Sequence, residues 1–182
     1  MADPLALLTA WLPDGGAMTL ATTAPDGGPR ARTVLVTGVV DGGLRFHSST
    51  PTGKTVDLAH DPRACGVFHW SDAGRQAVVT GRVHELDATV SDAAFAVRPP
   101  HLQRVAWLYD AVLPTLRGPR YEVDPSALDA TTDVPARRPA SWTTFALVPT
   151  TIEVWLGGPD RVASRTRYVR DGDTWAGVPV LP

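Results

Sequence analysis

The segment 48–55, SSTPTGKT, brings together the side chains of this sequence that are best suited to bind an anion. It contains Lys54, the only lysine of the chain, among several serine and threonine hydroxyls. We predict that a helix begins within it, and free backbone N–H groups at a helix start attract anions. A phosphate-binding P-loop would also need a glycine five residues before Gly53, where Ser48 stands, so that motif is excluded. An anion site and a solvated helix start remain the two interpretations.

A second candidate for anion binding is Arg32, which lies in a run of alternating polar and apolar residues. Alternation in a strand places Arg32 on the same face as Val34 and Val36. An arginine beside core valines is costly unless an anion or a carboxylate pairs with it, and the other interpretation is an exposed arginine on a partly buried face. Arg75-Gln76 begins another predicted strand after a turn, where residues at the rim of a barrel reach ligands.

The C-terminal part combines an aromatic residue with spaced arginines. A predicted strand ends on Trp155 and the pair Gly157-Gly158, and Arg161 and Arg165 follow. Arginines four residues apart near an aromatic residue are typical of a planar or anionic ligand. The alternative is that Trp155 belongs to the core and the arginines to the surface.

Other catalytic or metal sites are not indicated. Cys65 is the only cysteine, which excludes an internal disulfide and a cysteine-based zinc site, and its apolar strand predicts an inert core residue. The sequence has no Gly-x-Ser-x-Gly elbow. No metal ligand and no acid–base pair is predicted, because none of the histidines has metal-ligand spacing; they are His47, His60, His69, His84 and His101.

Composition narrows the class of protein. The 182 residues suit one globular domain, with 43% hydrophobic and 20% charged residues. A formal net charge of -2 argues against a nucleic-acid module. No apolar run approaches the roughly 20 residues of a membrane span, and the N-terminus lacks a basic head before its apolar stretch. We therefore predict a soluble cytoplasmic protein.

The elements that position these residues are mostly strands joined by short turns. Strands are predicted at 18–22, 30–40, 44–48, 64–70, 76–86, 142–148, 151–155, 166–170 and 174–180. Helices are predicted at 4–12, 52–60, 91–97 (capped by Ser91-Asp92) and 101–109. The proline-rich segment 113–139 is predicted to be a loop or partly mobile. Such a pattern favours an antiparallel barrel or sandwich with helices at its edges.

Taken together, these segments resemble the pyridoxamine 5'-phosphate oxidase family of FMN-binding split barrels, and are similar to the related flavin oxidases of phenazine biosynthesis. The resemblance covers nearly the whole chain. Its segments are Met18-Thr19-Leu20-Ala21-Thr22, Pro29-x-x-Arg32-x-Val34-Leu35, Phe46-His47-Ser48, Gly53-Lys54, Asp61-Pro62-Arg63-Ala64, Arg75-Gln76-x-x-Val79-x-Gly81, Phe95-x-x-Arg98-Pro99, Gln103-x-x-Ala106-Trp107, Ile152-Glu153-x-Trp155-x-Gly157-Gly158 and Arg161-x-x-x-Arg165.

The resemblance implies a mainly β (α+β) fold, an antiparallel split β-barrel with flanking short helices. It implies one domain over 1–182, with an N-terminal helix (1–13), a core of barrel and helices (17–110), a loop (111–139) and C-terminal strands at a dimer interface (140–182). It also implies a homodimer with FMN at the subunit interface.

Site residues follow from the same resemblance, by position. The FMN phosphate would be held by Arg32, Ser48 and Lys54. The cofactor would be lined by Val34, Leu35 and His47. The flavin would be approached by Gln76 from the same chain and by Trp155 and Arg165 from the partner. The substrate would be bound by Arg98 and Arg161, and no catalytic residue is assigned.

Departures from the family pattern concern the substrate side. Family oxidases that act on pyridoxine phosphate carry a lysine at Thr37, a tyrosine at Ala94, a serine at Leu102 and a histidine at Ala163. On the cofactor side, Gly53 replaces the phosphate-side arginine that the family carries next to Lys54, which implies a lower affinity for FMN. The missing substrate contacts, at about 1 kcal/mol for each hydrogen bond, would weaken the binding of a phosphorylated pyridine substrate by several orders of magnitude.

We therefore predict an FMN-dependent oxidase that transfers a hydride from a small aromatic or heterocyclic substrate to FMN, with reoxidation by oxygen. Two alternatives stay open. One is a pyridoxine/pyridoxamine 5'-phosphate oxidase that makes pyridoxal phosphate. The other is a protein that binds a flavin or deazaflavin without turnover.

Overall fold

Eight strands and four α-helices form the part of the chain that the computed structural model describes: residues 3–116, 122, 124, 126, 135–158 and 161–182, with only the backbone of residue 161. The strands are β1 (Gly16–Thr23), β2 (Pro29–Val40), β3 (Gly43–Ser49), β4 (Arg63–Trp70), β5 (Arg75–Glu85), β6 (Trp142–Gly158), β7 (Arg161–Asp171) and β8 (Thr174–Val180). The helices are α1 (Pro4–Trp11), α2 (Gly53–His60), α3 (Ala88–Ala96) and α4 (Pro100–Val112).

All strand pairs are antiparallel, in the order β3-β2-β1-β4-β5-β6-β7-β8. A further pairing of β3 with β6 closes the first six strands of that order into a barrel. Strands β7 and β8 continue the sheet beyond β6. The predicted fold, an antiparallel split barrel with short flanking helices, is confirmed.

The barrel forms because its strands alternate between apolar side chains that point inward and polar side chains that point outward. In β1, for example, Met18 and Leu20 are fully buried and Thr19 is exposed. The turn between β2 and β3 has positive φ at both Asp41 (51°) and Gly42 (76°), as a two-residue hairpin turn requires. A second, smaller cluster around Phe95 and Trp142 packs helices α3 and α4 against the outside of the barrel.

One prediction of two strands, at 142–148 and 151–155, was wrong, because β6 is a single strand of 17 residues. Pro149 suggested a turn, yet it pairs with Gly81 of β5 at a point where the register shifts. A Cβ atom on Gly81 would lie 2.0 Å from the carbonyl oxygen of Val148, so only glycine permits this close approach. A bulge opposite a glycine therefore accommodates the proline within the strand.

The helix predicted from Ser91 begins earlier, at Ala88 with Asp87 as its N-cap. Ser91 is instead fully buried, and its hydroxyl accepts a hydrogen bond from the backbone N–H of Thr144 at 3.0 Å. The helix predicted at 101–109 extends to Val112. Of the predicted loop 113–139, residues 113–115 form a 3₁₀ turn and most of the rest lies outside the described residues.

No helix within the described residues is both long and apolar enough to cross a lipid bilayer.

Candidate functional site

A cavity of about 640 Å³ lies between strands β2 and β3 and helices α3 and α4, with Lys54 of α2 also on its wall. Its volume falls within the range of small-molecule sites, roughly 300–1,000 Å³. No aspartate or glutamate occurs among its lining residues as far as the chain is described. The cavity is lined by five of the predicted site residues, namely Val34, Leu35, His47, Lys54 and Arg98.

Lys54 brings an ammonium group without a carboxylate partner to this cavity. In the described structure, the ammonium group makes a single hydrogen bond, a long one of 3.5 Å from Nζ to the hydroxyl of Thr52. Burial lowers the pKa of Lys54, and the nearby Arg32 lowers it further. The hydroxyl of Thr55 accepts the backbone N–H of Thr52 at 2.8 Å, which fixes the start of α2. A bound anion would offset both effects on the lysine, so this end of the cavity is suited to a phosphate.

Arg32 does not line the cavity, because its guanidinium is bound within the protein. It donates to a carboxylate oxygen of Asp57 at 3.0 Å and to the hydroxyl of Thr22 at 2.6 Å. Asp57 is fully buried and also accepts bonds from Thr22 at 2.7 Å and from Arg30 at 3.1 Å. Of the two pairings that the sequence left open for this arginine, an anion or a carboxylate, the structure shows the carboxylate.

Ser48 is buried beside the cavity and does not line it. Its hydroxyl donates to the carbonyl oxygen of Ser49 at 2.7 Å and lies 3.4 Å from the hydroxyl of Thr52. Of the three side chains predicted to hold a phosphate, Lys54 alone reaches the wall of the cavity in the described structure.

His47 presents a neutral imidazole to the cavity. Its Nδ1 lies 3.0 Å from the hydroxyl of Thr144, and its Nε2 lies 3.2 Å from the hydroxyl of Thr37. The ring stacks on Trp142 with centroids 4.6 Å apart. Burial, and then the charges of Arg98 and Arg45, lower the pKa of His47 to about 4. The ring is therefore uncharged at neutral pH and serves as a flat polar wall.

Arg98 lies on the helical side of the cavity, over the ring of Trp142 at 5.2 Å. Burial lowers the pKa of Arg98, and its Nε is buried without a hydrogen-bond partner in the described structure. The side chains around it on this wall are apolar, Ala94 and Leu102 among them, whereas His101 is exposed and does not line the cavity. This end combines a cation with an apolar surface.

Gln76, Trp155 and Arg165 lie away from this cavity, in one row across three strands. Gln76 pairs with Trp155, which pairs with Arg165. Cross-strand partners share a face of the sheet and lie about 5 Å apart, so the three side chains are neighbours on one face. That Gln76 approaches a flavin from one chain, and Trp155 and Arg165 from the other, stays a prediction.

Arg161 and Cys65 are two further residues for which the sequence made a prediction. Arg161 belongs to β7 by its backbone, and its side chain lies outside the described residues. Cys65 is half-buried in β4 and unpaired. Within the described residues, no group of three or more histidine, cysteine, aspartate or glutamate side chains is placed to hold a metal ion.

Comparison with known proteins identifies the family. The family model described as pyridoxamine 5'-phosphate oxidase matches residues 6–132. The model described as the pyridoxine 5'-phosphate oxidase C-terminal dimerisation region matches residues 142–181. A pyridoxine/pyridoxamine 5'-phosphate oxidase of Cupriavidus pinatubonensis is 35% identical over 99% of this chain and 89% of its own length.

Solved structures show the same fold. PhzG from Burkholderia lata, crystallised with tetrahydrophenazine-1-carboxylic acid, superposes with a TM-score of 0.81 at 23% identity, covering 100% of this chain and 94% of that one. A pyridoxamine 5'-phosphate oxidase-related, FMN-binding protein from Nostoc punctiforme gives 0.73 at 20% identity, covering 91% and 88%. By sequence and fold, the chain belongs to the pyridoxamine 5'-phosphate oxidase family and is an enzyme of the oxidase type.

Proposed function

We propose that this protein is an FMN-dependent oxidase whose substrate is a small aromatic or heterocyclic ring, more apolar than pyridoxamine phosphate. The observation that carries the proposal is the cavity itself, with Lys54 on its wall and an apolar surface around Arg98. Membership of the family supports FMN as the cofactor. The proposal includes a cytoplasmic location, which stays a prediction.

The residues present fit FMN. Lys54 is a half-buried cation with no anionic partner in the part of the chain that the structure describes, and a phosphate would supply one. Val34 and Leu35 of β2 offer an apolar wall beside it, and His47 offers a flat, uncharged one. An uncharged ring beside a cofactor avoids adding a further cation to a site that already holds Lys54, Arg45 and Arg98.

The chemistry that a bound flavin supplies is acceptance of a hydride from a substrate carbon and reoxidation by oxygen to give hydrogen peroxide. The chain's own residues bind and orient. Arg98 holds the anionic part of a substrate, and the apolar side chains near it exclude water from the ring. Orientation over the cofactor requires no strong base, which suits a cavity without a carboxylate.

The row of Gln76, Trp155 and Arg165 gives the homodimer a role in this function. The C-terminal segment matches a dimerisation region, and this row lies largely within it. We propose that Trp155 and Arg165 of one protomer cover the cavity of its partner, while Gln76 approaches the flavin from the chain that holds the cavity, which places the cofactor at the subunit interface. Arg165 brings a half-buried cation to the same face as Trp155, and its guanidinium also pairs with Glu153 at 3.5 Å.

Absorbance tests the proposal directly. We expect the purified protein, as isolated or after soaking with FMN, to show the yellow flavin absorbance, and a substrate to bleach it in the absence of oxygen. A protein that stays colourless with excess FMN would overturn the flavin assignment. Stable flavin binding without bleaching by any aromatic amine, alcohol or dihydro-ring tested would favour a binding protein without turnover.

Pyridoxine/pyridoxamine 5'-phosphate oxidation is the second candidate, favoured by relatives named for it at 35% identity. The cavity argues against it, because Thr37, Ala94 and Leu102 line the wall where the family resemblance expects lysine, tyrosine and serine. Formation of pyridoxal phosphate from the phosphorylated amine at a rate typical of a working enzyme would establish this candidate instead.

A gain in FMN affinity is expected from Gly53→Arg. A Cβ atom at Gly53 would have no neighbour within 4 Å, so a side chain fits at this helix start. An arginine next to Lys54 adds a charge-assisted bond to the phosphate and should lower the FMN dissociation constant about tenfold. Fluorescence titration measures it. Gly53→Ala controls for the backbone, and an equal effect on riboflavin, which lacks the phosphate, would contradict the explanation.

A further inference from the structure

Arg45 of β3 brings a second arginine to the cavity, and the family resemblance assigns it no role. The Nη2 of Arg45 donates a hydrogen bond to a carboxylate oxygen of Asp41, 2.8 Å away, at the tip of the hairpin between β2 and β3. The Asp41 side chain is 84% exposed, so this pair is open to water and holds Arg45 only weakly. The Nε of Arg45 is buried and has no hydrogen-bond partner within the described residues.

Arg98 shows the same feature from the helical wall of the same cavity. Its Nε is also buried and without a partner in the part of the chain that is described. Both arginines line the same cavity as His47, and the charges of both lower the pKa of that histidine. Two guanidinium groups on the wall of one cavity, with no carboxylate among its described lining residues, are suited to bind an oxyanion.

The backbone explains why Arg45 can act where a lysine is missing. Thr37, at which the family resemblance expects a lysine, is the extra residue of a register shift, since Val36 pairs with Phe46 and Gly38 with Arg45. The hydroxyl of Thr37 is turned to His47 at 3.2 Å. The bulge therefore places Arg45 directly beside the position of the absent lysine.

We propose that Arg45 and Arg98 together form the oxyanion subsite for the substrate, so that the enzyme selects a planar, mostly apolar ring carrying one carboxylate or phosphate. This inference rests on the proposed function. It adds Arg45 as a specificity-determining residue and names the charge that the substrate must carry.

The test uses the FMN-loaded protein and three probes of one ring: 1-naphthoate, 1-naphthyl phosphate and neutral 1-naphthalenemethanol. Binding is followed by the change in flavin absorbance. We expect an oxyanion probe to bind the wild type more tightly than the neutral probe. Arg45→Met should weaken that probe about tenfold and leave the neutral one unchanged, and Arg45→Lys should recover part of the loss. Whichever oxyanion binds more tightly identifies the substrate's anionic group.

The matched control is Arg63→Met, which removes an exposed arginine that is also paired with an aspartate and does not line the cavity. It should change none of the three affinities. The proposal would be overturned if the wild type binds neither oxyanion better than the neutral probe, or if Arg45→Met has no more effect than Arg63→Met.

A measurement without flavin separates this inference from the proposed function. In the flavin-free protein, the pKa of His47 followed by NMR should rise from about 4 towards its ordinary value in Arg45→Met and stay unchanged in Arg63→Met. A failure to load FMN would count against the proposed function alone. An unchanged pKa of His47 in Arg45→Met would show that Arg45 does not act in the cavity, and would overturn this inference.

Discussion

Replacing Lys54 with methionine is expected to raise the FMN dissociation constant about 100-fold, which corresponds to about 3 kcal/mol for a strong charge-assisted bond. Lys54 is a cation on the cavity wall without a carboxylate partner among the described residues, whereas Arg32 is already bound to Asp57. No other side chain predicted to hold the phosphate reaches the cavity. Methionine keeps an unbranched apolar side chain of similar size to the lysine stem and removes the ammonium group with its charge and donors.

The same substitution should not destabilise the flavin-free protein. Burial lowers the pKa of Lys54, which means that the folded state holds its charge at a cost. Methionine removes that cost, so the free energy of unfolding should stay equal or increase slightly. Loss of FMN affinity without loss of stability distinguishes a ligand-binding lysine from a structural one. Urea unfolding of the flavin-free protein and fluorescence titration with FMN measure the two quantities.

Two comparisons make the lysine experiment specific to the phosphate. Lys54→Arg keeps the charge and should retain FMN binding within about tenfold, because arginine also pairs with phosphate. Riboflavin should bind the wild type and Lys54→Met with equal affinity. If Lys54→Met retained the affinity of the wild type for FMN, Lys54 would not bind the phosphate, and its segment would be a solvated helix start, the other interpretation of the sequence.

Much of the barrel could be predicted from the sequence, because local patterns specify it. Alternating burial in β1 and β2, and glycine turns such as Asp41-Gly42, each depend on residues close together in the chain. The continuity of β6 through Pro149 could not be predicted, because it depends on Gly81, which is distant in sequence and becomes its partner only in the sheet. The N-cap at Asp87 was missed because Ser91 is used in a bond to β6.

Residues of the candidate site could be predicted where their role depends on their own segment. They were missed where that role depends on contacts between different helices and strands. Lys54 was identified from its own segment as a candidate for anion binding, and it lines the cavity. The cost of placing Arg32 on an apolar face was also identified. Its partner, Asp57, was not, because it lies 25 residues away on a helix whose pattern does not mark it. Arg45 was missed for a similar reason, since its place in the cavity depends on the bulge at Thr37.

The second large effect concerns Asp57. Asp57→Asn is expected to lower the free energy of unfolding by about 3 kcal/mol, the lower part of the range for breaking a buried ion pair. The asparagine amide would present a donor to groups that are themselves donors, and two guanidinium groups would lose their shared counter-charge. The lower part of the range applies because the side chains of Arg30 and Arg32 are 42% and 23% exposed, so water screens the charges left behind.

Urea unfolding measures the effect, with Asp92→Asn as the control. Asp92 pairs with Arg138 but its side chain is 63% exposed, so that substitution should cost less than about 1 kcal/mol. The double variant Arg30→Gln/Asp57→Asn should lose less than the sum of the single losses, because one unpaired guanidinium is then absent. Additive losses, or an Asp57→Asn protein as stable as Asp92→Asn, would contradict a shared counter-charge. The expected coupling would instead establish that the buried Asp57 is the counter-charge of Arg30, a carboxylate that Arg30 shares with Arg32.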